Sequence, residues 1–235
     1  MMNNTFPKYL IWGGIIYTAI LLLWPVFMFM GIGGPIEQQL AFISLHPAIH
    51  ILGFFFAFLI APAFGFIMIM TLESIEGKNR ALYNFSLIFF AVYAVLVSIS
   101  YSAQFALVPR LLRSGMTGIA AQWYFNTPDS IAGFFNQMGY SILIIPMMLW
   151  AIELLKQKGV LKVTAVFLIL SSALQLGAFI GMIADIPELS FLTLPSGLMV
   201  LPLGVLSVLY GLKLNKMAMT VSLQKNTSGN VKSHQ

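Results

Sequence analysis

His46-Pro47-Ala48-Ile49-His50 places two imidazoles four residues apart at the threshold of a long apolar stretch. Imidazole titrates near neutral pH and ligates divalent metals, so the pair suits proton transfer or a metal site. Proline favours the first helical position, which makes His46 the cap of a helix and puts His50 about one turn inside it. Four-residue spacing stacks side chains on one helix face only where both residues are helical, so the boundary position of His46 loosens that geometry. We take His50 and His46 as candidate general acid or base, with Glu37 or Asp185 as the carboxylate that orients them. No metal is assigned, because two histidines and a distant acid make a weak ligand set.

A second pair, Arg110 and Arg113, stands three residues apart just after Pro109. Planar guanidinium groups at that spacing can clamp a phosphate or carboxylate head group. Pairing with Asp185, Glu188 or Glu37, or contact with lipid phosphates, would satisfy them equally. Further polar residues lie just inside the apolar stretches: Tyr101 and Gln104, then Asn136, Gln137 and Tyr140, and deeper Ser171, Ser172 and Gln175. Polar side chains in lipid turn toward a bundle interior, where they line a pocket or hydrogen-bond neighbouring helices. The candidate ligand-binding set is therefore Arg110, Arg113, Gln104, Asn136, Gln137, Tyr101 and Tyr140.

The elements that must position these residues are six apolar runs: 9–30, 50–70, 83–108, 132–154, 163–184 and 191–212. Each approaches or exceeds the roughly 20 residues a helix needs to cross a bilayer. Hydrophobic residues make up 59% of the 235 and charged ones 8%, a balance that excludes an ordinary soluble domain, where about 25% are charged. The expected fold is an all-α integral membrane protein with six transmembrane helices in one compact bundle, residues 1–212, followed by a flexible cytoplasmic tail, 213–235. The first run is too long for a signal-peptide core and lacks a clear cleavage site, so it is expected to be retained.

Basic residues fall unevenly between the two sides that six crossings define. Lys8, Lys78, Arg80, Lys156, Lys158, Lys162, Lys213, Lys216, Lys225 and Lys232 share one side, and Arg110 and Arg113 stand on the other. The positive-inside bias makes the richer side cytoplasmic and both termini cytoplasmic. It also accounts for the net charge of +5, so no nucleic-acid partner is implied. Ala173, Gly177 and Gly181, and likewise Gly204, Ser207 and Gly211, form small-residue stripes suited to close helix packing. Trp12, Trp123, Tyr124 and Trp150 fall where an aromatic belt would meet the water interface.

Several chemistries are excluded. The chain has no Cys, hence no disulfide, thiolate nucleophile or iron–sulfur ligand. No Lys lies within a span to hold retinal, and the third histidine, His234, is in the tail, too remote to share a haem. The span centres carry no carboxylate or histidine, which disfavours a classical proton-coupled carrier. The expected function is binding, or movement, of an amphiphilic lipid- or isoprenoid-like molecule in an outward-opening pocket at the cell membrane. The alternatives are an intramembrane enzyme on such a substrate, using the histidines and carboxylates, and a non-catalytic partner or immunity-type subunit. No cofactor is identified, and membrane lipids are the expected surroundings.

Overall fold

The ends of the spans are set by local signals. Pro47 opens one helix at its first position, Asn79 caps another by accepting from the amides of Ala81 and Leu82, and the Ser130 hydroxyl accepts from the amide of Gly133. The structure, a computed structural model, describes residues 5–30, 33–127 and 129–231, with side chains as far as Thr220. The tail's Lys232 and His234 lie outside the described residues.

Among the described residues eleven α-helices form, in chain order: α1 (Phe6–Phe29), α2 (Ile36–Leu45), α3 (Pro47–Glu73), α4 (Arg80–Ser102), α5 (Val108–Arg113), α6 (Thr117–Trp123), α7 (Ile131–Leu155), α8 (Val160–Ile183), α9 (Pro187–Ser190), α10 (Thr193–Val200) and α11 (Pro202–Val231). A π-helical turn, Ala103–Leu107, joins α4 to α5, and no strand occurs among the described residues. Six helical units are long and apolar enough to cross a membrane: α1, α3, α4 through α5, α7, α8, and α9 through Thr220. They match the six runs read from the sequence. The last helix continues past its apolar part to Val231, through the segment whose composition reads as a tail.

The spans pack in chain order, each against the next, and α11 closes the ring on α1. Close approach at this closure needs small residues. A Cβ on Gly14 would stand 2.5 Å from the Gly204 carbonyl oxygen, the Ser207 hydroxyl donates to the Leu10 carbonyl at 3.1 Å, and Gly211 faces Pro7 and Leu10. The Gly204–Ser207–Gly211 stripe is thus a packing face. The other stripe receives α9 and the start of α10: Gly181 meets Leu189 and Ser190, and Gly177 meets Leu192.

Phe64 of α3 occupies the middle, its ring near those of Tyr17 (6.0 Å), Phe90 (6.1 Å) and Trp150 (5.8 Å). Trp150 does not join an aromatic belt. It is 1% exposed, and its indole N–H donates to Ser86 Oγ at 2.6 Å, because the same apolar ring that suits an interface also fills a core when its N–H finds an acceptor. Trp12, at 62% exposed, stays on the outside of the bundle.

Candidate functional site

At the end of the bundle where α3 begins, α2, α5 and α6 fold over the helix ends as a cap. Leu40 and Ile43 of α2, Val108 of α5 and Tyr124 after α6 form an apolar cluster of their own, separate from the main core. Tyr124 donates its hydroxyl proton to Gln39 Oε1 at 2.8 Å, the Asn126 amide donates to the same oxygen at 2.8 Å, and Gln39 Nε2 donates to the Gly34 carbonyl. The cap is therefore internally bonded by one buried glutamine.

Gln104 ties this cap to the bundle. Its Nε2 donates to the Trp123 carbonyl at 2.7 Å and its Oε1 accepts from the Phe125 amide at 3.0 Å, so one fully buried side chain pairs both faces of the loop that leaves α6. The π turn around it ends just before a proline. The Val108 amide bonds to the Ala103 carbonyl, five residues back, and the next donor in that register would be residue 109, a proline without an N–H. The Gln104 carbonyl is left without its helical partner, and His50 fills the place, with Nε2 at 3.0 Å. A carbonyl only accepts, so Nε2 carries the proton in this bond and Nδ1 remains as an acceptor in the neutral ring.

Around His50 the walls are aromatic. Its ring lies 4.8 Å from Phe54 and 6.0 Å from Tyr124; Phe54 and Phe125 each adjoin Tyr101, whose hydroxyl is 3.1 Å from that of Tyr140. Phe27, Met28, Phe42, Ile49, His50, Phe54 and Tyr124 enclose a cavity of about 10 Å³, room for roughly one water molecule. Burial pushes the Tyr124 phenol up to about 12, which keeps it protonated as the donor to Gln39.

The sequence candidates thus divide. His50, Gln104, Tyr101 and Tyr140 share this wall. His46 caps α3 as expected, but it is exposed and its ring lies against Phe42 at 4.8 Å, so the two imidazoles do not face one another. Glu37, in the first turn of α2, and Asp185 are exposed and make no ion pair or hydrogen bond to His50. Asp185 adopts φ 54° as α8 ends, while the Ile186 amide reaches back to the Gly181 carbonyl, a helix-closing motif in which Asp tolerates the left-handed backbone.

Arg110 and Arg113 occupy the last turn of α5, exposed, where positive charge suits the helix dipole. Among the described residues neither forms an ion pair with Glu37, Asp185 or Glu188; the ion pairs present are Lys78–Glu73, Arg80–Glu73 and Lys156–Glu153, all at the opposite end. Gln137 pairs with Thr193 at 3.1 Å. Asn136 is buried with an Oδ1 that has no partner among the described residues, as are Ser172 Oγ and both ends of the Gln175 amide on the adjacent α8. No group of three His, Asp or Glu side chains able to hold a metal ion occurs among the described residues.

Gln39, Tyr124 and Asn126 are the members of the site that sequence reading missed. Tyr124 carried a signal, an aromatic beside a turn-rich segment, but that signal reads equally as a membrane-interface residue. No family model, curated protein or solved structure matches the chain.

Proposed function

We propose that the chain is a multi-pass protein of the cell membrane, both termini cytoplasmic, that binds an anionic amphiphile of lipid or isoprenoid type at its extracytoplasmic end. The observation that carries this reading is the pair Arg110 and Arg113, exposed on α5 with no carboxylate to neutralise them among the described residues. The lysine and arginine bias supports placing this end outside. Two guanidinium groups receive a phosphate or carboxylate head group, and Met116, Ile119, Ile131 and Phe134, exposed on and around α6 and the start of α7, offer apolar surface for the chain. The cavity under the cap is far below the roughly 300 Å³ of a small-ligand pocket, so the tail lies along the rim while the cap stands as described.

The test is native mass spectrometry of detergent-extracted protein offered phosphatidylglycerol or phosphatidylcholine. Retention of the anionic lipid should fall at least about tenfold in the Arg110→Gln/Arg113→Gln protein, with the neutral lipid unchanged, corresponding to about 1.4 kcal/mol or more. Equal loss of both lipids would remove the arginines from head-group recognition.

One observation favours a second reading, an intramembrane enzyme. His50 is held by Nε2 and keeps Nδ1 as an acceptor beside a cavity, the arrangement of a general base. In that reading Gln104, rather than Glu37 or Asp185, orients the ring. Loss of turnover on a lipid-like substrate in His50→Ala, with lipid retention intact, would select it.

A further inference from the structure

We propose that the cap formed by α2, α5 and α6 is a lid that swings away from the bundle to open the His50 cavity to solvent and small polar solutes. Three observations converge on it. The cap has a separate apolar cluster, Leu40, Ile43, Val108 and Tyr124, so it holds together as a body apart from the main core. Bodies with their own small core open at lower free energy than the whole molecule.

Two of the cap's connections to the bundle are of the kind that pivots. On one side α2 meets α3 at His46, a single non-helical residue with φ −128° and ψ 55°. On the other side α5 hangs from α4 through the π turn, a helix irregularity common at functional hinges. Few residues with changeable backbone angles suffice for closure of this sort.

The polar part of the latch is local, and Phe125 of the same loop adds ring contacts to Phe54 and Tyr101. Gln104 clasps the Trp123 carbonyl and the Phe125 amide, and His50 bonds the Gln104 carbonyl within the hinge itself. Both of the Gln104 side-chain bonds to the loop can exchange for water when the lid lifts, whereas an apolar latch would have no such substitute. Beneath it lies the cavity, lined in part by His50 and with room for about one water. The inference concerns access alone and does not rest on the amphiphile reading, although Arg110 and Arg113 ride on the same body.

The natural absence of cysteine makes the test direct. A single cysteine at the cavity wall, Phe54→Cys, is exposed to a membrane-impermeant maleimide in purified protein, with Thr71→Cys, buried beside the cavity at the other end of α3, as the control. Labelling of Cys at position 54 should be slow, and about tenfold or more faster when Gln104→Leu removes the latch, while the control is unchanged. Gln39→Leu, which loosens the cap without touching the bundle, should act in the same direction. Unchanged labelling at position 54 in both variants overturns the lid. So does parallel acceleration at positions 54 and 71, which would mean that these glutamines hold the whole bundle together. No lipid is added, so failure of head-group binding leaves the result intact.

Discussion

His50 Nε2 stands 3.0 Å from the backbone carbonyl oxygen of Gln104, a bond between two spans that exists because Pro109 supplies no amide. A buried carbonyl has no bulk water to fall back on, so its partner here comes from another side chain. Replacing His50 by Phe should lower stability by about 1–3 kcal/mol, since it leaves that carbonyl unpaired. Pro109→Ala returns an N–H to the helix, and the same His50→Phe change should then cost markedly less. Thermal unfolding of the four proteins in detergent gives the coupling; strict additivity would show that the two residues do not share the carbonyl.

Ser86 and Trp150 make the corresponding prediction for the core. Ser86→Ala strands a fully buried indole N–H and should destabilise by about 1–3 kcal/mol. Unfolding followed by tryptophan fluorescence tests this, and a change under about 0.5 kcal/mol would mean the indole finds another acceptor.

At the ring closure, Gly14→Val forces a side chain against the α11 backbone, where the Gly204 carbonyl oxygen stands only 2.5 Å from the Cβ position. Overpacking at a site where neither backbone can yield should cost at least about 1–3 kcal/mol. The same substitution at Gly197, which has open space around it, should be tolerated far better. Similar melting temperatures for the two variants would place the α1–α11 contact elsewhere.

Tyr124 gives a pH dependence. Its phenol ionises at about 12 in the folded protein against the ordinary 10, so the unfolded chain loses this proton first. The contribution to stability is complete below pH 10 and declines as pH rises from 10 to 12, the window in which the folded state binds more protons. Tyr124→Phe should therefore show a shallower fall in stability across that window than the parent. Parallel curves would mean the hydroxyl is not sequestered in the cap.

Much of the architecture was legible because runs such as 50–70 and 163–184 are long and apolar enough for helices that could cross a bilayer, and Pro47 and Asn79 mark helix starts by ordinary capping chemistry. Gly204, Ser207 and Gly211 announced a packing face through their spacing alone. The site was legible only in pieces. Gln104 and His50 were identifiable as polar residues at span ends, but their meeting depends on a π turn that ends just before Pro109, which also reads as a plain helix breaker. Arg110, Glu37 and Asp185 share an end of the molecule without sharing a bond, since charge type predicts attraction and says nothing about reach. Gln39 and Tyr124 found each other across 85 residues, a distance over which periodicity carries no information.

Because neighbours around the ring are also neighbours along the chain, a ribosome could deliver the spans one at a time and let each settle against its predecessor. Only the seam between first and last must wait. The Tyr17 hydroxyl reaches the Val200 carbonyl across 183 residues, and Ser207 reaches Leu10 across 197. Until α11 is made, the glycine flank of α1 is an open edge, and a prematurely terminated chain would carry that edge permanently.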